Sequence, residues 1–193
     1  MNLKIIIGLL VGLIVLQIIG ALIFFNLKPK DSSAIQPIKN QANETSSLMG
    51  GKIDLHTDRD SYKVGEVATV SVMIDTNNKA VDGVDISLQF DPTLVEPILV
   101  NNQAFVPGRL FPDIPFNAYD LRAGTASMSG ISTLNKNFIG AGTMGVISFK
   151  AKAVGVATIK VVAESGNTTD SNMVAEGKEI LSETKDVQLT ITK

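Results

Sequence analysis

The chain has 193 residues, a formal net charge of −2 and no cysteine, which fits one folded domain with appendages. Because acidic and basic residues are nearly balanced, the composition gives no electrostatic reason for binding nucleic acid. A chain without cysteine forms neither disulfides nor thiolate metal sites.

The N-terminal part contains an apolar run over residues 5–25, in which Gln17 is the only strongly polar residue. At about 1.5 Å per residue, a helix of this length spans roughly 31 Å, close to the thickness of the hydrocarbon core. After a short flank at residues 1–4, we therefore expect an uncleaved transmembrane signal anchor. A signal peptide cleaved near Gly20-Ala21 is the alternative, and a type IV pilin helix is disfavoured because no Glu lies near the start of the run.

Residues 26–51 are predicted to be a flexible linker. They include Pro29 and Pro37, several Ser, Asn and Gln residues, and a final Gly50-Gly51, without any hydrophobic periodicity. A flexible chain of this length has a root-mean-square reach of about 25–30 Å.

Residues 52–193 show the two-residue periodicity of strands, most strictly at Val84, Ile86, Leu88 and Phe90, which alternate with polar residues. The pattern stops at Asp91-Pro92, which predicts a capped turn that returns Leu94 and Val95 to the core. We expect this segment to form an edge of a sandwich.

Similar alternation predicts strands near residues 53–55, 68–74, 126–131, 146–153, 157–162 and 187–191, and a short apolar run predicts another at 98–100. Residues 105–121 look irregular because they contain three prolines, and residues 164–173 look like a polar loop. Eight or nine short strands without an amphipathic helix predict an all-β fold, an antiparallel, jelly-roll-like sandwich of two sheets.

The sequence motifs that could carry chemistry are weak. Gly140, Gly142 and Gly145 match the spacing of a dinucleotide-binding turn, but the residues that follow alternate like a strand, so we expect a glycine-rich hairpin. No catalytic constellation is present, and we predict neither an enzyme nor a cofactor.

A metal site is also weakly indicated. His56 is the only histidine, and Asp58 and Asp60 match just the start of a calcium loop, because position six is Lys63 and position twelve is Thr69. We predict no metal site, while a structural cation near Asp58 and Asp60 stays open.

Three segments resemble the cohesin domain family. They are Tyr62 to Asp75, with its Val-Gly-Glu opening and alternating strand; Val84 to Glu96, with its Phe-Asp-Pro turn; and Gly140 to Ala151, with its late Ile-Ser-Phe-Lys-Ala strand. The loop from Thr169 to Asn172 also fits, and the resemblance covers about residues 52–193.

The resemblance implies a non-catalytic β-sandwich associated with polysaccharide breakdown, which binds a dockerin through one sheet face while the calcium belongs to the dockerin. It places Asp85 at a family contact position. Ser87 and Gln89 share its face by parity, and Ser148 and Lys150 come from the late strand that is expected to line the same face.

The resulting expectation is a single-pass protein of the cell membrane with an extracellular binding module for a dockerin-like or other surface protein. The alternative is a carbohydrate-binding module or an adhesin-type domain with a polysaccharide ligand. The chain has no Trp and only two Tyr residues, Tyr62 and Tyr119, and residues such as Phe90 and Phe149 fall on apolar faces, so aromatic stacking on sugars has little support.

Overall fold

The computed structural model describes residues 50–133, 136–164, 167 and 169–193. The predicted transmembrane segment at 5–25 and nearly all of the predicted linker lie outside the described residues. Within the described part of the chain, no helix is long and apolar enough to cross a membrane.

The described residues form fourteen β-strands, several of them only two to four residues long. In chain order they are β1 (Gly51–Thr57), β2 (Ser61–Lys63), β3 (Val67–Asp75), β4 (Gly83–Gln89), β5 (Val95–Ile98), β6 (Phe105–Pro107), β7 (Asp113–Asp120), β8 (Thr125–Ile131), β9 (Ala141–Ala151), β10 (Gly155–Val161), β11 (Asn172–Ala175), β12 (Lys178–Glu179), β13 (Leu181–Lys185) and β14 (Val187–Thr192).

The strands form two sheets that enclose one hydrophobic core, which confirms the predicted sandwich. The first sheet has the order β13-β1-β3-β9-β5, with β6 also paired to β9. The second has the order β12-β11-β4-β10-β14-β2, with β8 also paired to β4, and β7 paired to β8.

Most strand pairs are antiparallel, as predicted, but two pairs are parallel, β1 with β13 and β14 with β2, which the prediction of an antiparallel sandwich did not include. The cause is the C-terminal segment, which pairs in the first sheet as β13 and crosses at Asp186 to the second sheet as β14. The side chain of Asp186 accepts a hydrogen bond from the Val161 N–H (2.9 Å) on β10 at this crossing.

Strand β4 contributes Val84, Ile86 and Leu88 to the core, each at most 1% exposed. Phe90 follows them and makes an edge contact with Phe149 on the other sheet, with ring centroids 5.1 Å apart. The prediction that β4 lies at an edge is wrong, because β8 pairs along one side of it and β10 and β11 share the other.

The turn after β4 forms as predicted. The Asp91 carboxylate accepts hydrogen bonds from the Thr93 N–H (2.8 Å) and hydroxyl (2.6 Å), which lower the pKa of Asp91. The Leu94 and Val95 N–H groups both donate to the Asp91 carbonyl at 3.1 Å, and Val95 is buried.

The region predicted to be irregular contains β6 and the eight-residue strand β7. Among the described strands, β7 pairs only with β8, and its register shifts between Asp113 and Phe116. An edge strand with such a shift tolerates Pro115, because the missing N–H of a proline costs no ladder hydrogen bond on an unpaired side.

Several other boundaries also differ from prediction. Strand β5 ends at Ile98, where a strand was expected to begin, and β11, β12 and β13 fill the region from 172 to 185. Gly142 and Gly145 lie within β9 rather than in a hairpin. A Cβ at Gly145 would come within 2.7 Å of the Met128 side chain, so the close packing of this strand favours glycine there.

Candidate functional site

The outer face of the second sheet carries a set of mostly uncharged polar side chains on five strands. Strand β4 supplies Asp85, Ser87 and Gln89, which point away from the core because Val84, Ile86 and Leu88 point into it. We call this surface the β4 face; its other members are Phe116, Ala118 and Asp120 on β7, Thr125, Ser127 and Ser129 on β8, Lys160 on β10 and Asn172 on β11.

The strand registers arrange these residues in three rows. Partners in an antiparallel sheet point to the same side, with Cβ atoms about 5 Å apart. The first row holds Asn172, Asp85, Ser129 and Phe116; the second holds Ser87, Ser127 and Ala118; the third holds Lys160, Gln89, Thr125 and Asp120.

Charge is sparse on the β4 face, with Asp85, Asp120 and Lys160 distributed over two of the rows. The central row is neutral, and the Ser87 and Ser127 hydroxyl groups lie 3.5 Å apart. Phe116 is 51% exposed at the end of the first row. Neutral hydroxyl and amide groups beside an exposed aromatic ring can form hydrogen bonds with a protein partner at a smaller desolvation penalty than charged groups.

The Ser171 side chain takes the place of a missing strand partner in this sheet. Strand β10 pairs with the end of β4 and β11 with its beginning, so that neither strand provides a ladder partner for the Ser87 N–H. The Ser171 hydroxyl, which is buried, accepts a hydrogen bond from the Ser87 N–H (2.9 Å) and donates to the Ser87 carbonyl (3.1 Å). The middle of the β4 face therefore depends on one side chain from the loop before β11.

The same loop is fixed by two further contacts. The Ser171 N–H donates to the Val162 carbonyl at 2.7 Å. Asp170 is only 5% exposed, and its carboxylate accepts a hydrogen bond from the Glu164 N–H. These contacts hold Asn172 beside Asp85.

The structure divides the predicted binding residues between two surfaces. Asp85, Ser87 and Gln89 lie together on the β4 face, whereas Ser148 and Lys150 lie on β9, in the first sheet. The prediction that the late strand lines the same face is wrong. Parity shows that Ser148 and Lys150 point outward, but it cannot show to which sheet their strand belongs.

Sequence reasoning missed Ser127, Ser129 and Phe116 as members of the β4 face. The alternation of β8 carried a usable signal, since Ala126 and Met128 are buried and the serines between them point outward. The signal for Asn172 was the loop from Thr169 to Asn172, which fitted the family resemblance without any indication that it borders Asp85.

The candidate cation region forms a hydrogen-bonded cluster within the protein. Asp58 accepts bonds from the Tyr62 hydroxyl (2.6 Å) and the Thr69 N–H (3.3 Å) through one oxygen, and the Arg59 guanidinium lies 3.4 Å from the other. The bond from Tyr62 is the main cause of the lowered pKa of Asp58, and burial is the main cause of the raised pKa of Tyr62. In the described ranges, no three His, Asp or Glu side chains are grouped closely enough to hold a metal ion, and His56 is exposed.

Comparison with known proteins gives a consistent result. The Cohesin domain model matches residues 53–187. Among solved structures, the chain is similar to a type II cohesin domain from the cellulosome of Acetivibrio cellulolyticus, with 16% identity, a TM-score of 0.60, and coverage of 72% of this chain and 95% of that one. No curated protein sequence matches the chain.

Two further solved structures share the fold. One is an N-terminal interface mutant of a type II Cohesin-X-Dockerin complex from Acetivibrio cellulolyticus, with 16% identity, a TM-score of 0.57, and coverage of 74% of this chain and 99% of that one. The other is the seventh ScaB type I cohesin from Pseudobacteroides cellulosolvens, with 14% identity, a TM-score of 0.58, and coverage of 74% and 92%. Since the family model matches well over half of its length, the chain belongs to the cohesin family.

Proposed function

We propose that this protein is a non-catalytic binding module that captures a dockerin-type partner on the β4 face. Family membership supports the class of partner, since similar structures include complexes of cohesins with dockerin modules. The observation that carries the choice of surface is the set of three rows, in which Asp85, the residue that the family resemblance marks as a contact, lies beside Asn172 and Ser129.

The chemistry of the β4 face suits a folded polar partner. Ser87, Ser127 and Ser129 each offer both a donor and an acceptor, and Gln89 and Asn172 offer amide groups. Phe116 is the exposed aromatic residue on this surface, the type of side chain that contributes most at protein interfaces. A polysaccharide ligand is supported less well, because the face presents one aromatic ring rather than a platform of rings.

The proposal also includes display at the cell surface. An N-terminal anchor at residues 5–25 and a tether at 26–51 would leave the binding module outside the membrane, able to reach a partner roughly 25–30 Å from the anchor. This part rests on the hydrophobicity of the sequence alone.

A retention assay with the full chain tests the proposal. The chain is immobilised in mild detergent and exposed, in calcium-containing buffer, to a panel of purified type I and type II dockerin modules and, separately, to soluble polysaccharides. We expect retention of at least one dockerin, with a large loss of retention for Asp85→Lys and unchanged thermal stability. Retention of a polysaccharide and of no dockerin would contradict the proposal.

A further inference from the structure

A groove lies beside the β4 face, where the free edges of the two sheets approach each other. Its lining residues come from β5 and the residue after it, from the end of β7, and from β9. Glu96, Pro97, Ile98, Leu99, Tyr119 and Leu121 form most of the lining, and Lys150 stands at one side. The volume is about 300 Å³, at the lower end of the range for ligand pockets.

The groove is an open end of the hydrophobic core. Tyr119 pairs with the buried Ala126, so its side chain leaves β7 on the inner side of the sheet, yet it is 40% exposed because it borders the open groove. Leu99 and Leu121 pack against the core beside it and are only partly buried. An apolar side chain placed in the groove would cover all three residues.

The sandwich edge is closed on one side of this groove. The Asn117 amide donates to the Phe105 carbonyl (2.9 Å) and its oxygen accepts from the Phe105 N–H (3.2 Å), which joins β7 to β6. Two residues further along β7, at Tyr119, the facing strand is β5, which pairs only with β9 among the described strands. The opening between β7 and β5 at Tyr119 therefore results from the strand arrangement rather than from the size of one side chain.

Lys150 gives the groove a positive charge without a counterion. Its cross-strand partner Glu96 is paired instead with Lys152, whose ammonium lies 3.5 Å from the Glu96 carboxylate. Within the described residues, Lys150 makes no ion pair or side-chain hydrogen bond, and its side chain is exposed. The groove is thus lined by one carboxylate, Glu96, which is ion-paired outside the groove, and by one cation, Lys150, which has no ion pair of its own in the described ranges, next to aliphatic and aromatic surface.

We infer that this groove is an accessory site for a segment of the protein partner in which an apolar residue is followed by an acidic one. The apolar side chain fills the space between Leu99, Tyr119 and Leu121, and the carboxylate pairs with Lys150. A sugar fits less well, because the lining is mainly aliphatic and provides few hydrogen-bonding groups.

The inference rests on the proposed function for the identity of the partner. Strand β7 carries Phe116 on the β4 face and Tyr119 in the groove, three residues or about 10 Å apart along the strand. A partner on the β4 face therefore reaches the groove by passing around the β7 edge, and the groove selects among partners by the sequence of that segment.

Two acetylated and amidated hexapeptides, Gly-Ser-Leu-Asp-Ser-Gly and Gly-Ser-Leu-Lys-Ser-Gly, test the chemistry directly. They are titrated into the full chain with labelled leucine methyl groups, and NMR shifts are followed for Leu99 and Leu121. We expect the aspartate peptide to move both methyl signals and to bind about threefold more tightly than the lysine peptide at low salt, as for an exposed ion pair. The difference should vanish in 0.5 M salt.

Matched variants test whether Lys150 causes the peptide preference and whether Tyr119 contributes to peptide affinity. Lys150→Glu should reverse the peptide preference, whereas Lys63→Glu, a change of the same type at an exposed strand position away from the groove, should preserve it. Tyr119→Ser should weaken both peptides, and Phe116→Ser should weaken neither. Equal affinities for the two peptides, or methyl shifts that ignore Lys150→Glu, would overturn the inference.

The outcomes also separate this inference from the proposed function. If the aspartate peptide is preferred and no dockerin binds, the groove chemistry is supported and the assignment of the partner fails. If a dockerin binds through Asp85 while neither peptide moves the Leu99 and Leu121 signals, the groove is not an accessory site and the proposed function stands.

Discussion

The replacement Ser171→Ala tests how the β4 face is held in place. The Ser171 hydroxyl is buried and accepts the Ser87 N–H at 2.9 Å, at the position where β4 changes its partner strand from β11 to β10. Removing the hydroxyl leaves the Ser87 N–H without a partner. The Ser87 carbonyl keeps its second donor, the Val162 N–H at 2.9 Å.

The expected loss in the free energy of unfolding follows from the number of backbone groups left without a partner. One orphaned donor inside a sheet lowers the free energy of unfolding by about 1–3 kcal/mol. Urea unfolding of the full chain, followed by tyrosine fluorescence from the buried Tyr62, measures the change, and amide hydrogen exchange at Ser87 should become faster.

The control is Ser61→Ala, a change of the same type at an exposed position on β2, which should alter the free energy of unfolding by less than about 0.5 kcal/mol. Equal, small effects of the two replacements, with unchanged exchange at Ser87, would show that the Ser171 hydroxyl does not substitute for a strand.

Three other predictions concern the rest of the sandwich. Asp58 accepts a hydrogen bond from Tyr62 that lowers the pKa of Asp58 below the ordinary 3.8. The ionised form of Asp58 therefore adds stability that is present above about pH 4 and is lost on further acidification. Between pH 5 and pH 2, the urea unfolding midpoint should therefore fall less for Asp58→Asn than for the wild type. Asn117→Ala removes both side-chain bonds to the Phe105 backbone and should cost about 1–3 kcal/mol in urea unfolding. Asn117→Asp should cost at least as much, because it keeps the acceptor but turns a carboxylate oxygen, instead of an N–H donor, toward the Phe105 carbonyl. Phe149→Ala empties a fully buried position and should cost about 3–5 kcal/mol by the same measurement, and a loss below about 1 kcal/mol would contradict its place in the core.

The sequence predicted best the strands that have one buried and one exposed face. Strands β3, β4 and β14 alternate strictly, and the burial of their side chains follows that alternation. Strand β7 could not be predicted in this way, because its edge position weakens the alternation and admits Pro115. The short strands β2 and β12 contain too few residues to show any period.

The candidate site was predictable only in part, since a periodic pattern gives the direction of a side chain but not the sheet that carries it. Asp85, Ser87 and Gln89 belong to one strand and were grouped correctly on one face. Ser148 was placed with them and lies on the opposite sheet, because strand order is set by long-range pairing of β9 with β3 and β5. The contribution of Ser171 depends on the same kind of pairing.

Ser87 and Ser148 provide the most direct comparison of the two outer faces. Both are half-buried serines in the middle of long strands, one on the β4 face and the other on the first sheet. An arginine at either position projects from the surface without entering the core, so each variant should fold and should change only the face on which it lies.

The decisive measurement is a calorimetric titration of a dockerin module retained by the full chain into wild type, Ser87→Arg and Ser148→Arg. We expect Ser148→Arg to bind with the affinity of the wild type and Ser87→Arg to bind at least about a hundredfold more weakly, as for a central interface position. Unchanged binding by Ser87→Arg, or a loss confined to Ser148→Arg, would contradict the assignment of the β4 face as the docking surface.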